Sequence, residues 1–134
     1  MSKLSTIEGI GPAIEARLKA AGIRSVAALL KAGGTSSGRK EISENAEIAE
    51  GQLLKFVNHA DLMRVNGVGG EYAELLEAAG VDSVPELAQR NPENLAKQMA
   101  QVNAARSLVR AVPTAARVVK WVREAKTMGR AVFH

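Results

Sequence analysis

The chain has 134 residues and no cysteine. That excludes disulfides, thiolate nucleophiles and cysteine-ligated metals, and it favours a cytoplasmic setting. Aromatic residues are scarce, with one Trp, one Tyr and two Phe. Trp121 and Tyr72 are therefore read as core or interface residues rather than as a base-stacking platform. No apolar run approaches the roughly 20 residues of a membrane span. The opening Met1-Ser2-Lys3-Leu4-Ser5 has no long apolar segment, so no signal peptide is expected. No stretch shows the strict apolar–polar alternation of a half-buried strand.

Catalytic chemistry is equally thin. His59 and His134 are the only histidines. His59 stands near Asp61 without a nucleophile or a convergent polar set, so it is read as a helix-end residue, not a general base. No carboxylate and histidine spacing resembles a metal site. Residues 41–50 are acidic but lack the Asp-x-Asp and glycine pattern of a calcium loop. The expectation is a protein that is not an enzyme and has no resident cofactor.

What is present is a repeat. Ile7-Glu8-Gly9-Ile10-Gly11-Pro12 returns 58 residues later as Val65-Asn66-Gly67-Val68-Gly69-Gly70. The correspondence runs on through Leu18 and Leu76, Gly22-Ile23 and Gly80-Val81, Ser25-Val26 and Ser83-Val84, and Leu29 and Leu87. A repeat of this length sets the reading of the whole chain.

The local signals are helical. Ser5-Thr6-Ile7-Glu8 matches an S-x-x-E capping box, which predicts a short helix there. Pro12 opens a helix reaching Ala21, and Gly22 ends it. Ser25 is an N-cap for the next helix. Gly33-Gly34-Thr35-Ser36-Ser37-Gly38 reads as a breaker and the joint after the first unit. Two helices are expected in 39–60, the second over about 50–58. The second hairpin leads into a helix from Gly70 to Ala79, then a short helix capped by Asp82 or Ser83. Asn91-Pro92 starts another helix, and Pro113 opens the last, which Gly129 ends. Alanine occurs 23 times, which suits closely packed helices. The predicted fold is all-α with about eight helices, forming a single compact domain over 1–134. Within it, 1–34 is the first unit, 35–60 a helical connector, 61–90 the second unit, and 91–134 the C-terminal closing helices.

The net charge of +4 is unevenly placed. Residues 1–40 hold seven basic and two acidic residues, 41–88 hold two and ten, and 89–134 hold nine and two. The helix pair in 39–60 could be taken for a DNA-reading helix-turn-helix, but Glu41, Glu44, Glu47 and Glu50 would face phosphates and repel them.

The Gly-x-Gly turn has two readings. Glycines permit a sharp turn and leave backbone N–H groups uncovered, and the following helix directs its positive end there, which suits a phosphate. The same turn also serves as a compact corner between helices. Ile10 is read as an anchor packing the turn onto its helices.

These residues resemble the helix-hairpin-helix motif, an apolar residue followed by G-h-G, then Ala and Leu. The second copy fits at Val65, Gly67, Val68, Gly69, Ala73 and Leu76. The first fits at Ile7, Gly9, Ile10, Gly11, Pro12 and Leu18, and departs at Glu15, where a small residue is usual. The chain also resembles a bacterial family of tandem helix-hairpin-helix proteins catalogued as a domain of unknown function. That resemblance takes in residues 60–64, 87–95 and the helix after Val112-Pro113 with Trp121. That resemblance implies tandem SAM-like helix-hairpin-helix units. The helix-hairpin-helix motif in general implies sequence-independent binding of DNA backbone, sometimes with a monovalent cation on the hairpin carbonyls. The expectation for this chain is a module that binds DNA or RNA backbone without sequence preference. The residues the motif marks are Gly9, Ile10, Gly11, Pro12, Gly67, Val68 and Gly69.

Flanking charge separates the two copies. Lys3, Arg17, Lys19 and Arg24 lie near the first in sequence, and Arg17, Lys19 and Arg24 are added to its expected binding residues. The second has Arg64 but also Glu71, Glu74 and Glu77, so the first is the expected phosphate site. The alternatives are a protein-interaction or self-associating scaffold module, with the acidic centre meeting a basic surface, and an accessory subunit of a nucleic-acid enzyme.

Overall fold

The computed structural model describes residues 3–134, so Met1 and Ser2, which open the expected first unit, lie outside the described residues. Eight α-helices and one short 3-10 turn account for the regular structure among the described residues, with no strand. No helix among them is long and apolar enough to cross a membrane.

The described residues form two compact units, 3–61 with 131–134, and 62–130. The first contains the 3-10 turn Leu4–Thr6 and helices α1 (Pro12–Ala20), α2 (Val26–Gly33), α3 (Ser36–Ala46) and most of α4 (Glu50–Leu62). Helix α3 packs on α1 and α2. Leu18, Leu29, Leu53, Phe56 and Val57 are fully buried. Ser25 caps α2 by accepting the Ala28 N–H at 3.0 Å, as its sequence position predicts.

Three local expectations change. The Ser5–Glu8 capping box does not form: the segment is the 3-10 turn, and the Thr6 hydroxyl turns back to the Lys3 carbonyl at 2.6 Å. The Gly33–Gly38 stretch is only in part a breaker. Thr35 accepts the Gly38 N–H, capping α3, and so draws Ser36, Ser37 and Gly38 into the helix. Helix α4 runs four residues beyond 58 because His59, Ala60, Asp61 and Leu62 are buried and continue its packed side. His59 thus lies in the last turn of α4, inside the unit.

The end of the chain belongs to this first unit. The Phe133 N–H donates to the Gly34 carbonyl at 2.7 Å, and Arg39 Nη2 donates to the Phe133 carbonyl at 2.7 Å. Arg39 Nη1 donates to the Gly33 carbonyl at 2.9 Å. The guanidinium is buried, so these carbonyls replace the water it has lost. Gly34 admits the segment because a Cβ there would lie 2.5 Å from the Ala131 carbonyl oxygen.

The second unit contains α5 (Gly70–Ala78), α6 (Val84–Gln89), α7 (Pro92–Arg106) and α8 (Ala115–Ala125). Helix α8 packs against α6 and α7, and α7 also packs against α5. Its core joins Val65, Leu75, Leu76, Val81, Leu87, Leu95, Met99, Val118, Trp121 and Val122. The caps are local: Ser83 accepts the Glu86 N–H, and Asn91 accepts the Asn94 N–H. Helix α8 starts later than Pro113 predicts. Pro113 is buried ahead of it, and Thr114 is the cap, accepting the Arg117 N–H at 3.2 Å. It also stops at Ala125, short of Gly129.

The two glycine turns as candidate sites

The repeated sequence makes a repeated backbone. In the first unit, the Ile10 N–H donates to the Ile7 carbonyl and the Glu15 N–H to the Gly11 carbonyl. In the second, Val68 donates to Val65 and Ala73 to Gly69. Both following helices end in the same way. Ile23 donates to Leu18 and Gly22 to Lys19; Val81 donates to Leu76 and Gly80 to Glu77. That pair of bonds, with Gly22 at φ +90° and Gly80 at φ +94°, is a Schellman end, and the apolar residues it joins are buried in each copy.

Within each turn the two glycines do different things. Gly9 has φ +95° and Gly67 φ +89°, a region that L side chains rarely adopt. A Cβ on Gly9 would stand 3.1 Å from the Phe56 ring, and one on Gly67 3.3 Å from Trp121 Nε1. These glycines serve the fold. Gly11 (φ −89°, ψ −176°) and Gly69 (φ −96°, ψ −170°) are extended N-cap residues. A Cβ on either meets nothing within 4 Å. Positive φ is therefore found at the first glycine of each turn and not at the second.

Ile10 and Val68 are 4% and 5% exposed, so their side chains anchor the turn. Gly9, Gly11, Pro12, Gly67 and Gly69 are exposed. The first N–H groups of each helix have no intrahelical partner. Among the described residues, no protein acceptor takes those of Gly11, Ala13 and Ile14, or of Gly69, Gly70 and Glu71. Pro12 has no N–H to offer where Gly70 has one.

The flanking charges are arranged differently from their order in sequence. Arg17 Nη1 donates to the Glu47 carbonyl at 3.0 Å. Lys19 Nζ lies 4.0 Å from a Glu15 carboxylate oxygen and sits about 10 Å along α1 from Pro12, at 1.5 Å per residue. Arg24 follows the far end of α1, and Lys3 precedes the 3-10 turn. At the second turn, Arg64 Nη2 donates to the Gly129 carbonyl at 2.8 Å. Both Glu124 carboxylate oxygens accept the Asn66 N–H, at 3.2 and 3.3 Å.

One cation at the second turn escapes a reading by sequence neighbourhood. Arg117, on α8, has its guanidinium carbon 5.2 Å from the Tyr72 ring centre and 5.7 Å from that of Trp121. Its Nη2 lies 3.5 Å from where a Gly67 Cβ would stand. The Tyr72 hydroxyl donates to the Ala111 carbonyl at 3.0 Å, and Arg117 Nη1 approaches that hydroxyl at 3.4 Å. The only advance sign was the basic excess of residues 89–134; nothing local links position 117 to position 67.

No group of three or more His, Asp or Glu side chains that could hold a metal ion is found among the described residues. The arrangement is an all-helical chain with a repeated, glycine-lined turn. It belongs to the family described as a domain of unknown function, DUF4332, whose model matches residues 8–128. No curated protein and no solved structure matches the chain.

Proposed function

We propose that this chain is a non-catalytic module that binds nucleic-acid backbone, without reading its sequence, through two helix-hairpin-helix turns. The observation that carries this reading is the second glycine of each turn. Gly11 and Gly69 are exposed, have ordinary φ angles and have open space where a Cβ would stand. Packing and backbone strain do not require glycine there. A surface that a phosphate approaches closely does, because a side chain would cover the N–H groups at the helix start. A monovalent cation on the turn carbonyls belongs to the same reading; it makes affinity depend on which monovalent salt is present at fixed ionic strength.

The test separates binding from folding. An aspartate at an N-cap position stabilises a helix but sets a carboxylate where the phosphate would sit. The Gly11→Asp, Gly69→Asp double variant is expected to melt at or above the wild-type temperature. Its affinity for nucleic acid, measured by fluorescence anisotropy at low salt, is expected to fall at least about tenfold, equivalent to 1.4 kcal/mol. Equal affinity in a folded variant rejects the turns as phosphate sites.

A second reading rests on Glu41, Glu44, Glu47 and Glu50, all exposed on or beside α3 and α4. They offer a basic protein surface a complementary face. Charge reversal there should abolish partner capture while leaving nucleic-acid affinity unchanged or raised.

A further inference from the structure

The C-terminal helix of the second unit is two-faced. Val118, Trp121, Val122 and Ala125 are buried, while Arg117, Lys120 and Arg123 on α8 and Lys126 just after it are exposed. At 100° per residue, those four cations cover the solvent half of the helix, spread over about 13 Å of its length. Lys120, Arg123 and Lys126 have no acidic partner among the described residues. Glu124, the one acid on the helix, is engaged by the Asn66 N–H. The positive field of this face is therefore left for an outside anion to neutralise.

We infer that the solvent half of α8 is a docking surface for the phosphate backbone of duplex DNA, reaching the second glycine turn through Arg117. This rests on the nucleic-acid reading above and adds to it a surface and a substrate form. Arg117 connects the two parts. Propped on Tyr72 and Trp121 beside Gly67, it is held in place with little rotamer freedom left to lose on binding.

Duplex is favoured over single strand by the state of the rings. Single-strand grooves stack bases on exposed aromatic faces. In this unit Trp121 is 2% exposed, and Tyr72 is half-buried beneath Arg117 with its hydroxyl bonded to Ala111. What the solvent half of α8 leaves outside is the charge of Arg117, Lys120, Arg123 and Lys126, which tracks phosphates and reads no base.

The experiment compares the full chain with Lys120→Ala/Arg123→Ala/Lys126→Ala. Arg117 is kept, because its loss also strips packing from two rings. Anisotropy is followed through a salt titration with a 20-bp duplex DNA, the matching single strand, and polyglutamate. Wild type is expected to prefer the duplex. The triple variant, with unchanged circular dichroism and melting, is expected to bind the duplex about tenfold more weakly at low salt. Its slope of log K against log salt should be smaller by about 2.7, or 0.9 for each phosphate no longer neutralised. Wild-type binding with an unchanged slope in the variant overturns the α8 surface and leaves the glycine turns standing. Tighter binding to single strand, or equal binding to polyglutamate, overturns the choice of duplex DNA. No binding of any nucleic acid by wild type overturns both readings.

Discussion

The two glycine turns share a backbone and differ in what surrounds it. Their hydrogen bonds recur at a fixed interval, and their positive-φ glycines agree within a few degrees. Phe56 closes the first turn from beneath; Trp121, with Arg117 beside it, closes the second. Near the first, the basic residues are held elsewhere: Arg17 on a carbonyl at the start of the α3–α4 link, Lys19 along α1 beside Glu15. At the second, the acids on α5 are accompanied by an arginine from α8 that no local pattern foretells. Repeating a turn within one chain repeats its fold. Which charges and rings stand around it is decided by side chains that arrive from distant segments.

The largest expected effects come from the core beneath each turn. Leu18 and Leu76 occupy equivalent positions and are fully buried. Truncating either to alanine should cost about 2–5 kcal/mol by denaturant unfolding. Native-state hydrogen exchange should show the loss concentrated in the altered unit, because each has its own compact core. A uniform loss across all amides, from either variant, would show that the two units do not respond separately.

A smaller effect divides the glycines within a turn. Gly9→Ala and Gly67→Ala force alanine to positive φ against a neighbouring ring, and each should lower stability by about 1–2 kcal/mol. Gly11→Ala and Gly69→Ala should move it by no more than about 0.5 kcal/mol. Equal costs at all four positions would remove the distinction between glycines for folding and glycines for approach.

The smallest effect belongs to the second unit alone. Where the first copy has Arg24 and Ala28, the second has Asp82 and Glu86. The hydrogen bond between the Asp82 and Glu86 side chains raises the Glu86 pKa above its ordinary 4.5. The folded state therefore holds this proton more tightly than the unfolded chain. The resulting stabilisation is present in acid, below the ordinary value, and is lost as pH rises above it through the raised folded pKa. The difference in melting temperature between wild type and Glu86→Gln should shrink or reverse over that window, by a small amount because the pair is exposed. A pH-independent difference would contradict a shared proton in the pair.

Much of the helical order was legible in the sequence because its signals are local. Ser25, Ser83 and Asn91 cap helices where their spacing predicts, and Gly22 and Gly80 end them. The errors fall where a local signal meets a competitor. The Ser5–Glu8 motif lost to a 3-10 turn that buries Leu4 and Ile7. The serines of the Gly33–Gly38 stretch were taken into α3 once Thr35 capped it. The candidate site was less legible. Both turns and their buried anchors are visible as a repeat. The Arg39 clamp on Phe133 spans 94 residues, and Arg117 reaches Tyr72 across 45. Such pairings depend on packing, and composition alone shows only that basic residues gather near the end.

In the proposed nucleic-acid reading, the second turn, joined by Arg117 and α8, holds backbone more strongly than the first, the reverse of the order expected from charge nearby in sequence. The most direct test measures duplex DNA affinity for Gly11→Asp and Gly69→Asp singly, in the same low-salt buffer, with melting curves to confirm folding. Both variants are expected to fold, Gly69→Asp to weaken binding about tenfold or more, and Gly11→Asp to weaken it less. Equal losses, a larger loss from Gly11→Asp, or no loss from Gly69→Asp would contradict the claim.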